Sequence, residues 1–239
     1  MLFLEYQLFP LGDQSVVIEL GSELSSKTYQ KVQAVASFFE YKKPDWLLDF
    51  TPALTTVTLF YDAFFIYKHY GHRQLPYQFV CSFLHTELIN VTVGETQKKR
   101  IIEIPVCYGG ELGPDLAYVA SYNNLTKSEV IRIHSNGEYA VYMLGFAPGF
   151  PYLAGMSEKI STPRKAMPCL SIPARSIGIA GIQTGIYPIE TPGGWQIIGQ
   201  TPIDLFLPHE YPPTLLKVGD HIRFIPISYE QFLNWEVRT

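Results

Sequence analysis

The strongest constraint on this chain is a stretch of 55 residues, 145–199, in which backbone punctuation replaces charge. It holds nine of the 18 glycines and seven of the 18 prolines. Even spreading of those residues would put about eight there, and the stretch has sixteen. Its charges are Glu158, Lys159, Arg164, Lys165, Arg175 and Glu190. Gly and Pro at this density interrupt helices before they can lengthen. Short apolar runs between such breaks read as strands joined by tight turns, so this half is expected to be a β-barrel or sandwich. It is too apolar for a flexible linker.

The first third has a different texture. Val16, Ile18 and Leu20 alternate with Val17 and Glu19, which suits a strand. Ser22 and Ser25 offer N-caps for a helix whose apolar stripe is Tyr29, Val32, Ala36 and Phe39, closed by Pro44. Val57 and Leu59 mark a β-branched strand. A second helix begins near Pro76, with Phe79, Val80, Phe83, Leu84 and Leu88 on its apolar face. The chain turns polar over Gly94–Lys99 and enters the strand IIEIPV. This predicts an α+β architecture: a small N-terminal α/β subdomain over 1–96 and a β-barrel domain over 97–239. Two short helices follow Gly109–Gly110, the second announced by the capping box Thr126-x-x-Glu129 and ending near His134.

Composition narrows the function classes. Apolar residues make up 47% and charged residues 17%, against about 25% charged in a typical globular chain. Such a chain can bury enough surface to offset its ordering entropy, so it folds. The net charge of -4 lacks the clustered Lys and Arg of a nucleic-acid binder. No window of about 18 residues is free of charges and turn formers, so no membrane span is expected. The start MLFLEYQLFPLGDQS lacks a basic leader and is interrupted by Glu5 and Asp13. Cys81, Cys107 and Cys169 are odd in number and widely spaced, which fits reduced thiols and a cytoplasmic chain, not a disulfide framework or a zinc site. Cys169 lies in a Pro-rich loop that admits a nucleophile, but nothing in the local sequence singles it out.

No standard nucleotide motif is present. The Gly-rich run Gly178–Gly185 is either an anion nest or a set of barrel-corner glycines, and the second reading is favoured. The run Gly145–Gly155, with Phe150 and Tyr152, is either a packing loop or the wall of an apolar pocket. Thr191-Pro-Gly193-Gly194-Trp195 allows close backbone approach beside a large ring. His134 is either a structural hydrogen-bonding group or a proton exchanger near neutral pH. Arg164 is suited to two hydrogen bonds with a carboxylate or phosphate. Gln183 and Thr184 are neutral partners for an amide or carbonyl. No metal-ligand cluster stands out.

The stretches EYAVYMLGFAPGFPYLAGM, TPR and IPARSIGIAGIQTGIYPIETPGGWQIIGQTP resemble the KipI family, also called allophanate hydrolase subunit 1, which includes the PxpB component of bacterial 5-oxoprolinase. Leu11–Ser15 and Ile104–Gly110 match it as well. The resemblance implies a C-terminal barrel of cyclophilin-like type. It implies ATP-dependent hydrolysis of 5-oxo-L-proline to L-glutamate, with a KipA-like (PxpC) partner subunit and a third, PxpA-like ring-opening protein. On that reading His134 moves protons, Arg164 holds a carboxylate or phosphate, and Gln183 with Thr184 bonds the lactam amide. Gly193 and Gly194 hold an oxyanion, and Phe150, Tyr152 and Trp195 wall the pocket. ATP is expected at a subunit interface or on the partner. Two alternatives stand beside it: an inhibitor docking on a sensor histidine kinase, and a carboxyltransferase-like subunit acting on urea or allophanate.

Overall fold

The computed structural model describes residues 4–23, 25–71, 74–93 and 100–235. The chain forms two compact units, Met1–Lys98 and Lys99–Thr239. The expected polar junction over Gly94–Lys99 lies outside the described residues.

The first unit begins with β1 (Gln7–Pro10) and β2 (Ser15–Glu19). Helix α1 (Ser26–Lys42) starts where the Ser25 hydroxyl accepts from the Thr28 N–H at 3.1 Å. It stops at Lys43, which takes a left-handed conformation just before Pro44. Strands β3 (Leu47–Pro52) and β4 (Thr56–Tyr61) follow. Asp62 then caps α2 (Ala63–Tyr70) by accepting from the Phe65 N–H. Pro76 opens α3 (Pro76–Glu87), where its missing N–H costs nothing. The strands form one antiparallel sheet, ordered β1-β2-β4-β3. Alternate residues Val16, Ile18, Leu20, Val57, Leu59 and Tyr61 bury one face of it. Val32, Val35 and Phe39 of α1, Val80 and Leu84 of α3, and Trp46 fill the other side of that core.

The second unit opens with β5 (Ile101–Tyr108), α4 (Leu116–Tyr122) and α5 (Lys127–Ser135). The capping box at Thr126 is formed: its hydroxyl accepts from the Glu129 N–H and the Glu129 carboxylate accepts from the Thr126 N–H. The remaining strands are β6 (Tyr139–Leu144), β7 (Pro151–Ala154), β8 (Cys169–Ile172), β9 (Ser176–Ala180), β10 (Gln183–Ile186), β11 (Thr191–Gly193), β12 (Gln196–Gln200) and β13 (His221–Pro226). Helix α6 (Tyr229–Leu233) ends the described elements. Seven strands close a barrel in the order β10-β7-β6-β13-β5-β12-β9, and β8 pairs with β11 as a separate ribbon. The neighbours are antiparallel except for β5 and β13, which run parallel over six residue pairs from His221↔Ile101 to Pro226↔Val106. Branched aliphatics fill the barrel, among them Ile104, Val106, Val141, Leu153, Ile177, Ile179, Ile186 and Ile198. Helix α5 adds Val130 to the same core. No described helix is long and apolar enough to cross a membrane.

Candidate functional site

A strand in a barrel wall sends successive side chains to opposite faces. In β9 the interior set is Ile177 and Ile179, and in β10 it is Thr184 and Ile186. Gly178, Ala180, Gln183 and Gly185 therefore lie on the outer face. There the sheet carries a second apolar cluster, built from Phe150, Ile172, Ala180, Tyr187, Trp195 and Ile197, with Tyr152 and Cys169 against it. The rings meet edge to face: Phe150 lies 5.4 Å from Trp195 and 5.2 Å from Tyr187. The glycines make this contact possible. A Cβ on Gly185 would stand 2.9 Å from the Pro151 carbonyl and 3.0 Å from both the Phe150 and Trp195 rings. A Cβ on Gly178 would stand 2.9 Å from Trp195. The Gly-rich hairpin is thus a flat bed for an indole, and Gly181 serves its turn at φ 58°.

The wall divides the residues expected to act together. His134 and Thr184 are inside the barrel and completely buried. The Thr184 hydroxyl donates to the Gly178 carbonyl at 2.9 Å, so it accepts from the His134 Nε2–H at 3.0 Å. His134 Nδ1 then accepts from the Tyr108 hydroxyl at 2.8 Å. Phe224 stacks on the ring at 4.5 Å, and the Tyr139 hydroxyl donates to the His134 carbonyl. Burial holds the imidazole neutral, pushing its pKa down from 6.5 to about 3. Both ring nitrogens and the threonine hydroxyl are used within the core. This corrects the expectations that His134 exchanges protons with a substrate and that Thr184 bonds its amide.

The other expected residues gather outside. Arg164 is exposed, with its guanidinium carbon 6.0 Å from the centre of the Trp195 ring, in the range of a cation–π contact. Gln183, half-buried, opens β10 on the outer face. Gly193 sits against Tyr187, where a Cβ would come 2.5 Å from the phenol oxygen. The Gly194 carbonyl accepts from the Lys165 N–H at 2.7 Å. Phe150 is buried, while Phe146, at a positive φ of 72°, leaves 64% of its surface exposed beside it. Burial is the main reason the Tyr187 hydroxyl is raised to about 12, so it is a proton donor at neutral pH.

Three residues were not singled out from the sequence as parts of the site. Asp115, Lys165 and Tyr187 all touch this cluster or its border, and Cys169 joins them at the start of β8. Only Lys165 had a nearby signal, the loop Ser161-Thr-Pro-Arg-Lys165. All three cysteines are free thiols. Among the described residues no group of three or more His, Cys, Asp or Glu side chains can hold a metal.

Residues 6–216 match the carboxyltransferase domain family, subdomain C and D. The chain belongs to that family. It is 49% identical over 228 residues to a Bacillus subtilis protein named as a subunit of 5-oxoprolinase, covering 95% of each chain. The crystal structure of the conserved protein PH0987 from Pyrococcus horikoshii is 43% identical, with a TM-score of 0.56, over 95% of this chain and all of that one. The structure of TTHA0988 is 33% identical with a TM-score of 0.75, over 90% of this chain. There the matching part makes up 40% of a longer polypeptide.

Proposed function

We propose that this chain is the PxpB-type subunit of an ATP-dependent 5-oxoprolinase, and that the outer aromatic face of its barrel binds the lactam. The observation that carries the proposal is the exposed Arg164 6.0 Å over Trp195, at an aromatic cluster whose surface-reaching rings are Phe146 and Tyr152. The substrate has the matching halves: a small apolar ring and a carboxylate. Phe146 and Tyr152, the rings beside Phe150 that reach the surface, accept the ring, and Arg164 bonds the carboxylate through two N–H groups. The close identity to a protein named as a 5-oxoprolinase subunit supports this choice of substrate.

A lactam is a stable amide, and ATP makes its opening favourable. The lactam oxygen takes the γ-phosphoryl group and ADP leaves. Water then adds to the activated carbon, the C–N bond opens to leave the amine and an acyl phosphate, and a second water hydrolyses that acyl phosphate to glutamate and phosphate. This chain's residues exclude water from the ring face and orient the lactam. Gln183 is assigned to the lactam amide, and the Gly193–Gly194 backbone to the developing oxyanion. His134 takes no part, because both its ring nitrogens are bonded within the barrel. ATP is assigned to a KipA-like partner subunit, since this chain lacks a phosphate-binding loop motif.

The test is reconstitution with the partner subunit, ATP and 5-oxo-L-proline. Arg164→Ala should lower oxoproline-dependent ATP hydrolysis more than about tenfold, with little change in melting temperature because the side chain is exposed. Near-normal turnover would remove Arg164 from the site. Absence of any oxoproline-dependent ATP hydrolysis, together with inhibition of a sensor histidine kinase, would replace the reading with the inhibitor one.

A further inference from the structure

Arg164 and Lys165 are adjacent cations that the fold uses differently. Arg164 lies over Trp195, whereas Lys165 turns to Asp115, with its ammonium 2.7 Å from Asp115 Oδ2. The same carboxylate oxygen accepts the Ile197 N–H at 2.7 Å, and the Asp115 N–H donates to the Ile197 carbonyl at 2.9 Å. Asp115 is thereby clamped to β12 two residues beyond Trp195. The Lys165 backbone is fixed too, through its N–H to the Gly194 carbonyl. A second ammonium donor points at Cys169 Sγ, 3.6 Å away, and Cys169 belongs to the border of the aromatic cluster. An ammonium has three donors. The third has no acceptor among the described residues, and the side chain is 23% exposed. An ordinary surface ion pair has mobile partners in open solvent. This one is fixed at both ends and partly buried, with one donor left facing outward.

We propose that Lys165 is a binding residue for an oxyanion at the edge of the aromatic face, and that Asp115 is its positioning residue. The shared ligand chemistry is a carboxylate or a phosphoryl oxygen, and the two sources are 5-oxo-L-proline and the phosphate released from ATP. The identity of those two candidates rests on the oxoprolinase reading, while the oxyanion site itself does not. Burial opposes the charge on Lys165, but the Asp115 hydrogen bond and charge, with Cys169 beside them, outweigh it and hold the lysine above its ordinary value. The titratable groups facing it are Asp115, ahead of α4, and Cys169 on β8, and Arg164 is its chain neighbour.

Calorimetric titrations of the full chain, alone and with the partner subunit, use 5-oxo-L-proline in one arm and inorganic phosphate in the other. At least one should bind, and the arm that binds names the source. Lys165→Met should weaken that binding about tenfold or more, and Lys165→Arg should recover most of it. Asp115→Asn should move the pH dependence: with the carboxylate gone, burial prevails, the lysine loses its proton at lower pH, and binding falls away at lower pH than in the wild type. A purely structural ion pair would not produce that shift. Binding of neither anion, unchanged binding by Lys165→Met, or a wild-type pH profile in Asp115→Asn would each overturn the assignment. If turnover of oxoproline is normal and Lys165→Met is silent, the lysine assignment fails and the oxoprolinase reading stands. If Lys165-dependent anion binding occurs without oxoproline turnover, the reading fails and the site stands.

Discussion

Acid should unfold this protein partly through one imidazole. In the unfolded chain His134 takes up a proton near pH 6.5, but burial keeps the folded ring neutral down to about pH 3. Between those values the unfolded state binds one more proton than the folded state. Stability therefore falls as pH falls, by about 1.4 kcal/mol per pH unit for this group. By about pH 4.5 the loss reaches about 3 kcal/mol, a large part of a typical domain's stability of about 5–15 kcal/mol. The perturbation is His134→Gln, which can still bond Tyr108 and Thr184 but cannot titrate. Urea unfolding at several pH values below neutrality separates His134 from the carboxylates, which titrate in both proteins. The variant should be the less stable at neutral pH, by about 1–3 kcal/mol for imperfect hydrogen bonds. The gap should then narrow by about 1.4 kcal/mol for each pH unit of acidification. Turnover per folded molecule should stay within about threefold of wild type, since the ring is completely buried and bonded within the barrel. Parallel pH profiles for the two proteins, or a large loss of turnover in a fully folded variant, would refute the reasoning.

Two further predictions concern packing. Gly185→Ala forces a methyl between the Pro151 carbonyl and the Phe150 and Trp195 rings, and should cost about 1–3 kcal/mol in chemical denaturation while lowering lactam binding. Leu84→Ala empties part of the first unit's core, where Leu84 is completely buried, and should cost about 2–5 kcal/mol, seen as a lower unfolding midpoint.

The helices were legible because their ends are written in local chemistry. Ser25, Pro76 and the Thr126–Glu129 box each mark a start that the structure realises. The Gly- and Pro-rich stretch was legible as strands in a barrel, since those residues leave little else possible. Strands β1 and β3 and helix α2 were not legible: each is short, and neither alternation nor a capping box set them apart. The larger miss was the phase of the strands. Ile177 and Ile179 define the interior of β9, and Thr184 shares its phase in β10 with Ile186, whereas Gln183 shares its phase with Gly185. Reading that alternation would have put Thr184 inside the barrel and Gln183 outside it. Nothing local could have placed His134 against Thr184, because their contact spans 50 residues and depends on the closed barrel. Asp115 was invisible for a similar reason: its partners Lys165 and Ile197 meet it only in the fold.

The parallel pairing of β5 with β13 has a consequence for synthesis. Strand β5 is the first of the barrel to leave the ribosome, and β13 is the last. Between them lie 112 residues, 109 to 220; β5 has neither neighbour until β12 is made at Gln196–Gln200, and β5 and β6 both wait for β13 to the end. The first unit, with its own core, can fold early. The barrel cannot close until its final stave arrives, so even after β12 has paired with β5 the nascent chain still carries two open strand edges, those of β5 and β6. Emergence of β13, and not any earlier length, is the moment at which this half becomes safe from edge-to-edge association.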